Sequence, residues 1–122
     1  MLAEIIVDEL RVMTIIGCNP DERERKQPIC ISFSFKYDTE KVSLTDDISE
    51  AVNYDILCQK ITTLVEASQF MMIETLAEKV IDCILTNSLI YSVSLFIYKP
   101  EAVSNAKRVG IKLYRENKQQ DN

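Results

Sequence analysis

The hydrophobic pattern of this chain predicts an α+β fold of order β-β-α-α-β-β, with an antiparallel four-stranded sheet and two helices on one of its faces. Three observations carry the prediction. Ile29, Ile31, Phe33, Phe35 and Tyr37 alternate without a fault with Cys30, Ser32, Ser34 and Lys36, the period of a half-buried strand. Tyr91, Val93, Leu95 and Ile97 repeat that pattern near the other end of the chain. Between them the apolar period lengthens twice to that of a helix. Strands on either side of two helices suit a sheet with its helices gathered on one face.

The first strand spans residues 4–17, with Leu10, Val12 and Ile16 on one face and Arg11 and Met13 on the other. Its alternation slips at Asp8-Glu9, where a kink is expected. Gly17 closes the run, and residues 18–27 form a polar connection containing the densest charge in the chain. The second strand covers 28–37. Residues 38–51 show no period and have room for a short helical turn.

Asn53 is placed to cap the first long helix, whose stripe is Tyr54, Leu57, Cys58, Ile61, Leu64 and Val65. After the polar break 66–69 the second helix carries Ile73, Leu76, Ala77, Val80, Ile81 and Ile84 on one face and runs to about Leu85. Glu74 lies at the edge of that stripe, in the first turn. A carboxylate there is stabilised by the helix dipole and by free backbone N–H groups, or is aimed at a ligand; periodicity does not choose. The third strand, 91–99, ends with Lys99 on the apolar parity, just before Pro100, which cannot donate to a ladder. Val109, Ile111 and Leu113 mark a fourth strand. The polar tail from Glu116 is expected to fray from about residue 117. Met13, Ile15, Phe96 and Tyr98 leave the second sheet face partly apolar, so the exposed sheet edges are expected to pair with another subunit.

The 122 residues make one domain, 1–122, with two glycines and three prolines. A net charge of -5 and scattered basic residues argue against nucleic acid. No apolar stretch approaches a membrane span, and Met1-Leu2-Ala3-Glu4 lacks the basic start of a secretion signal; a cytoplasmic location is expected. Cys18, Cys30, Cys58 and Cys83 form no C-x-x-C pair and read as reduced thiols. The absence of histidine removes the usual general base and the commonest ligand of catalytic zinc, so acid–base chemistry falls to Glu, Asp, Lys, Tyr, Cys or water.

A set of short motifs in fixed order carries a resemblance. Ile16-Gly17 is followed by Glu22 and Gln27, then by Thr45-Asp46-Asp47 and Val52-Asn53-Tyr54. Next come Ile73-Glu74-Thr75-Leu76-Ala77-Glu78, Lys99-Pro100-Glu101-Ala102, Val109-Gly110-Ile111 and Arg115-Glu116-Asn117. No one piece is specific, but together, from about Ile5 to Asn117, the sequence resembles the dihydroneopterin aldolases of folate biosynthesis and the related dihydroneopterin triphosphate epimerases. The resemblance implies the tunnelling fold, in which β-β-α-α-β-β protomers join sheet edges into a four-subunit barrel, often stacked as an octamer. It implies active sites between subunits, with Val52 to Tyr54 of one chain meeting Glu74 and Lys99 of another.

By the same resemblance Glu74 is the anchor of the pterin ring, helped by the backbone of Ile73. Lys99 and Tyr54 are the catalytic pair for proton transfer. Glu22, Tyr54, Ile73, Glu74 and Val52 bind substrate, Glu22 near its tail. A lysine closing an apolar strand face is also one whose amine desolvation can neutralise, although packing of its stem with the head in water is the plainer reading. Neither metal nor cofactor is required, because the ring C=N of dihydroneopterin is itself the electron sink that other aldolases build as a lysine imine. Epimerisation of the side chain, by the same cleavage run forward and back, is the alternative activity. Asn53 and Met71-Met72-Ile73 depart from the commonest aldolase pattern and favour it, whereas Lys99-Pro100-Glu101-Ala102 and Val109-Gly110-Ile111 pull back toward the aldolase; Arg23, Arg25 and Lys26 are cations that could meet a triphosphate, although a solvated loop is the plainer reading. A non-catalytic pterin- or purine-binding barrel is the reading from another class.

Overall fold

A computed structural model describes residues 1–118. Strands β1 (Leu2–Thr14) and β2 (Gln27–Asp38) form an antiparallel pair. A short helix α1 (Glu40–Thr45) and a single 3-10 turn at Ile48–Glu50 occupy the aperiodic stretch. Helices α2 (Tyr54–Ala67) and α3 (Ile73–Leu85) follow, then β3 (Ser92–Lys99) and β4 (Val109–Glu116). The sheet is antiparallel throughout in the order β1-β2-β3-β4, which makes β1 and β4 its edges.

The slip in the first strand is a bulge. Pairing with β2 shifts register between Val7 and Leu10, and Glu9 takes a left-handed φ of 59°. The bulge moves the inward parity from Ile5 and Val7 to Leu10, Val12 and Thr14, so both halves of a long strand face the helices. The strand stops at Thr14 rather than at residue 17. Thr14 is fully buried, and its hydroxyl donates to the carbonyls of Val65 at 2.6 Å and Ser68 at 3.1 Å. The end of α2 is thereby fastened to the end of β1.

One core lies between the sheet and the two long helices. Ile29, Ile31, Phe33 and Phe35 of β2 and Val93, Leu95 and Ile97 of β3 meet Leu57, Ile61 and Val65 of α2 and Leu76, Val80, Ile81 and Ile84 of α3. Truncating any one of these large buried side chains to alanine costs about 2–5 kcal/mol. Two residues expected on buried faces stand at element ends and escape them: Tyr54 is 57% exposed and Tyr91 42%. On the other sheet face Tyr98 lies under the Arg108 guanidinium, 4.9 Å from its ring centre.

The tail is held further than its composition suggests. Asn117 donates its side-chain amide to the carbonyls of Leu85 and Ile90 at 3.3 and 3.0 Å, and its backbone N–H to Tyr91 at 2.8 Å. These bonds close the exit of α3 and the entry of β3, so fraying does not begin at residue 117. The rest of the expected frayed tail, 119–122, lies outside the described residues. Among the described residues no helix is long and apolar enough to cross a membrane.

Candidate active site

Three segments that are distant in sequence meet at one end of the sheet. They are the turn following β1, the entry to α3, and the β3–β4 connection. Gly17, Cys18, Asn19 and Glu22 form one wall of a cleft, Met71, Met72, Ile73 and Glu74 the opposite wall, and Lys99, Ala102 and Val109 its floor. Its volume is about 300 Å³, at the small end for organic ligands, and it is open on one side.

The floor is built by strand register. Lys99 ends β3 opposite Val109, and its parity turns it towards the helix side of the sheet, as the sequence predicted. Its ammonium is 3.0 Å from Glu22 Oε2 in an ion pair whose side chains are only 16% and 20% exposed. Glu22 has further support: Gln27 Nε2 donates to Oε2 at 3.1 Å, and the Asn19 backbone N–H to Oε1 at 3.2 Å. Gln27 also donates to the Ile16 carbonyl at 2.8 Å, so its amide fixes the carboxylate to the strand end. Burial works against ionisation of Glu22, but the hydrogen bonds from Lys99, Gln27 and Asn19, with the Lys99 charge, outweigh it and hold the carboxyl below its usual 4.5.

Gly17 is demanded by this arrangement. Its φ is +128°, and a Cβ there would fall on the Glu22 carboxylate.

The opposite wall is less satisfied. Met72 is the N-cap of α3 and gives no side-chain cap bond. The Met72 carbonyl accepts from Thr75 and Leu76, while the backbone N–H groups of Ile73 and Glu74 have no acceptor among the described residues. The exposed Glu74 carboxylate, in the first turn, likewise has no hydrogen-bond or ionic partner among them. A free carboxylate beside free N–H groups, facing a paired lysine, offers both acceptors and donors to a flat heterocycle.

Of the residues singled out from the sequence, Glu22, Ile73, Glu74 and Lys99 come together in this cleft. Tyr54 and Val52 do not line it within the chain. Val52 is 3% exposed and belongs to the core, while Tyr54 stands exposed at the start of α2. Gln27 was legible only as a motif position, and its role in orienting Glu22 rests on contacts that periodicity does not carry. Arg23 turns away from the cleft and engages main-chain carbonyls.

Residues 5–114 match the family described as dihydroneopterin aldolase. A dihydroneopterin aldolase of Haemophilus influenzae is 29% identical over 111 residues, covering 91% of this chain and 94% of that one. A dihydroneopterin triphosphate 2′-epimerase of Pseudomonas aeruginosa is also 29% identical, over 112 residues, covering 92% and 91%. The crystal structure of Escherichia coli dihydroneopterin aldolase in complex with neopterin superposes with a TM-score of 0.89 at 26% identity, covering 93% of this chain and 98% of that one. With the β-β-α-α-β-β sheet and the family match both spanning nearly the whole molecule, the chain belongs to the dihydroneopterin aldolase family.

Proposed function

We propose that the protein is a 7,8-dihydroneopterin aldolase of folate biosynthesis, cleaving its substrate to 6-hydroxymethyl-7,8-dihydropterin and glycolaldehyde. The convergence of Glu74, Lys99 and Glu22 on one cleft, in a chain of this family, carries the reading. Glu74 and the Ile73 backbone hold the pterin ring by its amino group and ring N–H. Lys99 and Tyr54 are the proton-transfer pair, with Glu22 at the substrate tail.

The electron flow needs no covalent enzyme intermediate. Loss of the proton from the 2′-hydroxyl breaks the C1′–C2′ bond and releases glycolaldehyde. The bonding pair moves into the ring C=N beside the side chain, and protonation of C1′ restores it. The site must orient the ring, let one proton leave and return one. A water in the open cleft takes the 2′-hydroxyl proton to solvent, the Lys99–Tyr54 pair delivers one proton to C1′, and solvent restores that proton to the pair, with Glu22 holding Lys99 at the cleft floor.

Tyr54 reaches the reaction from a neighbouring subunit in this reading, together with the chain at Val52. The open side of the cleft, the exposed position of Tyr54 outside it and the free edges β1 and β4 support a closed ring of four protomers, stacked in pairs as an octamer. A cytoplasmic location belongs to this reading and is supported by the four cysteines, none of which is paired with another.

Product analysis with purified protein and dihydroneopterin tests the activity. Glycolaldehyde in step with 6-hydroxymethyl-7,8-dihydropterin is expected, and pterin binding by an intact oligomer without either product would leave a non-catalytic barrel. Relatives named as triphosphate epimerases favour a second reading, in which the aldehyde turns over and the bond re-forms. Accumulation of the 2′ epimer faster than glycolaldehyde, on free or triphosphorylated substrate, would establish it.

A further inference from the structure

We propose that Arg23 is a positioning residue of the active site, holding the loop that carries Glu22 against the segment that launches the Glu74 helix. The inference rests on the aldolase reading for its kinetic consequence and on geometry for the clamp itself. Nη1 of Arg23 donates to the Gly17 carbonyl at 3.0 Å and the Phe70 carbonyl at 3.2 Å, and Nη2 donates to Gln69 at 2.7 Å. One guanidinium thus ties the wall at Gly17 to the segment that leads into the opposite wall, without lining the cleft. Its neighbour Glu22 points the other way, to Lys99, Gln27 and Asn19, so the turn is staked in two directions.

Besides Arg23, the segment before α3 is held by Thr14, which donates to the Ser68 carbonyl at 3.1 Å, and by a long contact of 3.7 Å from the Cys18 thiol to the Met71 carbonyl. Met72 provides no side-chain cap, and apart from Arg23 the Phe70 carbonyl receives only the Gly17 N–H, at 3.3 Å. Glu74 begins four residues after Phe70, so the spacing between ring anchor and proton-transfer pair is set through these carbonyls. Three acceptors in two segments suit a planar fork with several donors; a lysine ammonium is a single point and cannot span them in the same way. The guanidinium that looked available for phosphate is therefore committed to the protein's own backbone.

Arg23→Lys and Arg23→Gln test this in the full-length oligomer. Both are expected to keep the assembly and to raise KM for dihydroneopterin about tenfold while kcat changes less than about threefold, because the walls are misplaced rather than the proton donors lost. A purely structural residue would instead reduce the active fraction at constant KM. Amide hydrogen exchange over residues 70–76, measured without substrate, is expected to quicken in both variants. Wild-type KM in Arg23→Gln, or recovery of wild-type KM in Arg23→Lys, would overturn the proposal. Should Arg23→Gln fail to assemble, Arg23→Lys, which keeps the charge and the stem, carries the test alone. If the wild-type protein releases no glycolaldehyde, the aldolase reading falls and exchange alone decides the clamp, unchanged exchange refuting it.

Discussion

Lys99 Nζ lies 3.0 Å from Glu22 Oε2, joining the end of β3 to a loop 77 residues earlier in the chain. The pair fixes the floor of the cleft, and most of what can be tested about the site depends on it.

With Lys99 as the proposed acid–base group, Lys99→Ala should lower kcat by about 10²–10⁴-fold while the elution volume of the protein stays that of the wild type. Steady-state assay beside size-exclusion chromatography checks this. Unchanged turnover would remove Lys99 from the mechanism, and a borohydride-trapped adduct on Lys99 would replace the imine-free scheme with a covalent one.

Glu22 makes stability depend on pH. Its folded carboxyl titrates below its ordinary 4.5, so between the two values the unfolded chain binds more protons than the folded one. The stabilisation is therefore complete above about 4.5 and is lost as pH falls through the lower folded value. Glu22→Gln should lower the urea midpoint at neutral pH and flatten its fall in acid; a midpoint profile parallel to the wild type would contradict the assignment.

Glu74→Gln keeps the shape of the proposed ring anchor but loses its charge. Pterin affinity should fall by about 10–100-fold, since hydrogen bonds to a charged group contribute about 1.5–3 kcal/mol. Fluorescence titration with neopterin measures it, and unaltered affinity would return Glu74 to being a helix-start acid.

The proposed sharing of each site between two subunits can be probed by mixing. Lys99→Ala and Tyr54→Phe subunits, each weak alone, should regain activity when refolded together, because random assembly restores about a quarter of sites when each combines residues of two chains. No recovery in mixed oligomers would place Lys99 and Tyr54 of each site in one and the same chain.

Gly17→Ala should destabilise the fold and impair turnover together, since the new Cβ meets the Glu22 carboxylate and φ is +128°. A non-glycine residue in a strained backbone region costs about 1–3 kcal/mol before any clash, which thermal melting will register.

The elements of the fold were legible because each is written in its own residues. The slip at Asp8-Glu9 marked the bulge, Asn53 marked the cap of α2, where its side chain accepts from Asp55 and Ile56, and parity alone turned Lys99 towards the helices. The motif order from Ile16-Gly17 to Arg115-Glu116-Asn117 pointed to the family that residues 5–114 match. Hydrophobic period and capping chemistry act over a few residues, so one strand or helix at a time can be read from them.

What only the tertiary structure decided is which polar groups face each other. The sequence placed Lys99 at the end of an apolar face but could not supply its carboxylate. It showed Arg23 as one cation in a charged loop, where the fold commits it to the carbonyls of Gly17, Gln69 and Phe70. Thr14 lay inside the expected first strand and Asn117 at the start of the expected tail, yet each pins an element from which it is remote in sequence. Such bonds depend on distances set by packing the whole core, and a hydrogen bond tolerates errors of only tenths of an ångström; no local pattern encodes them.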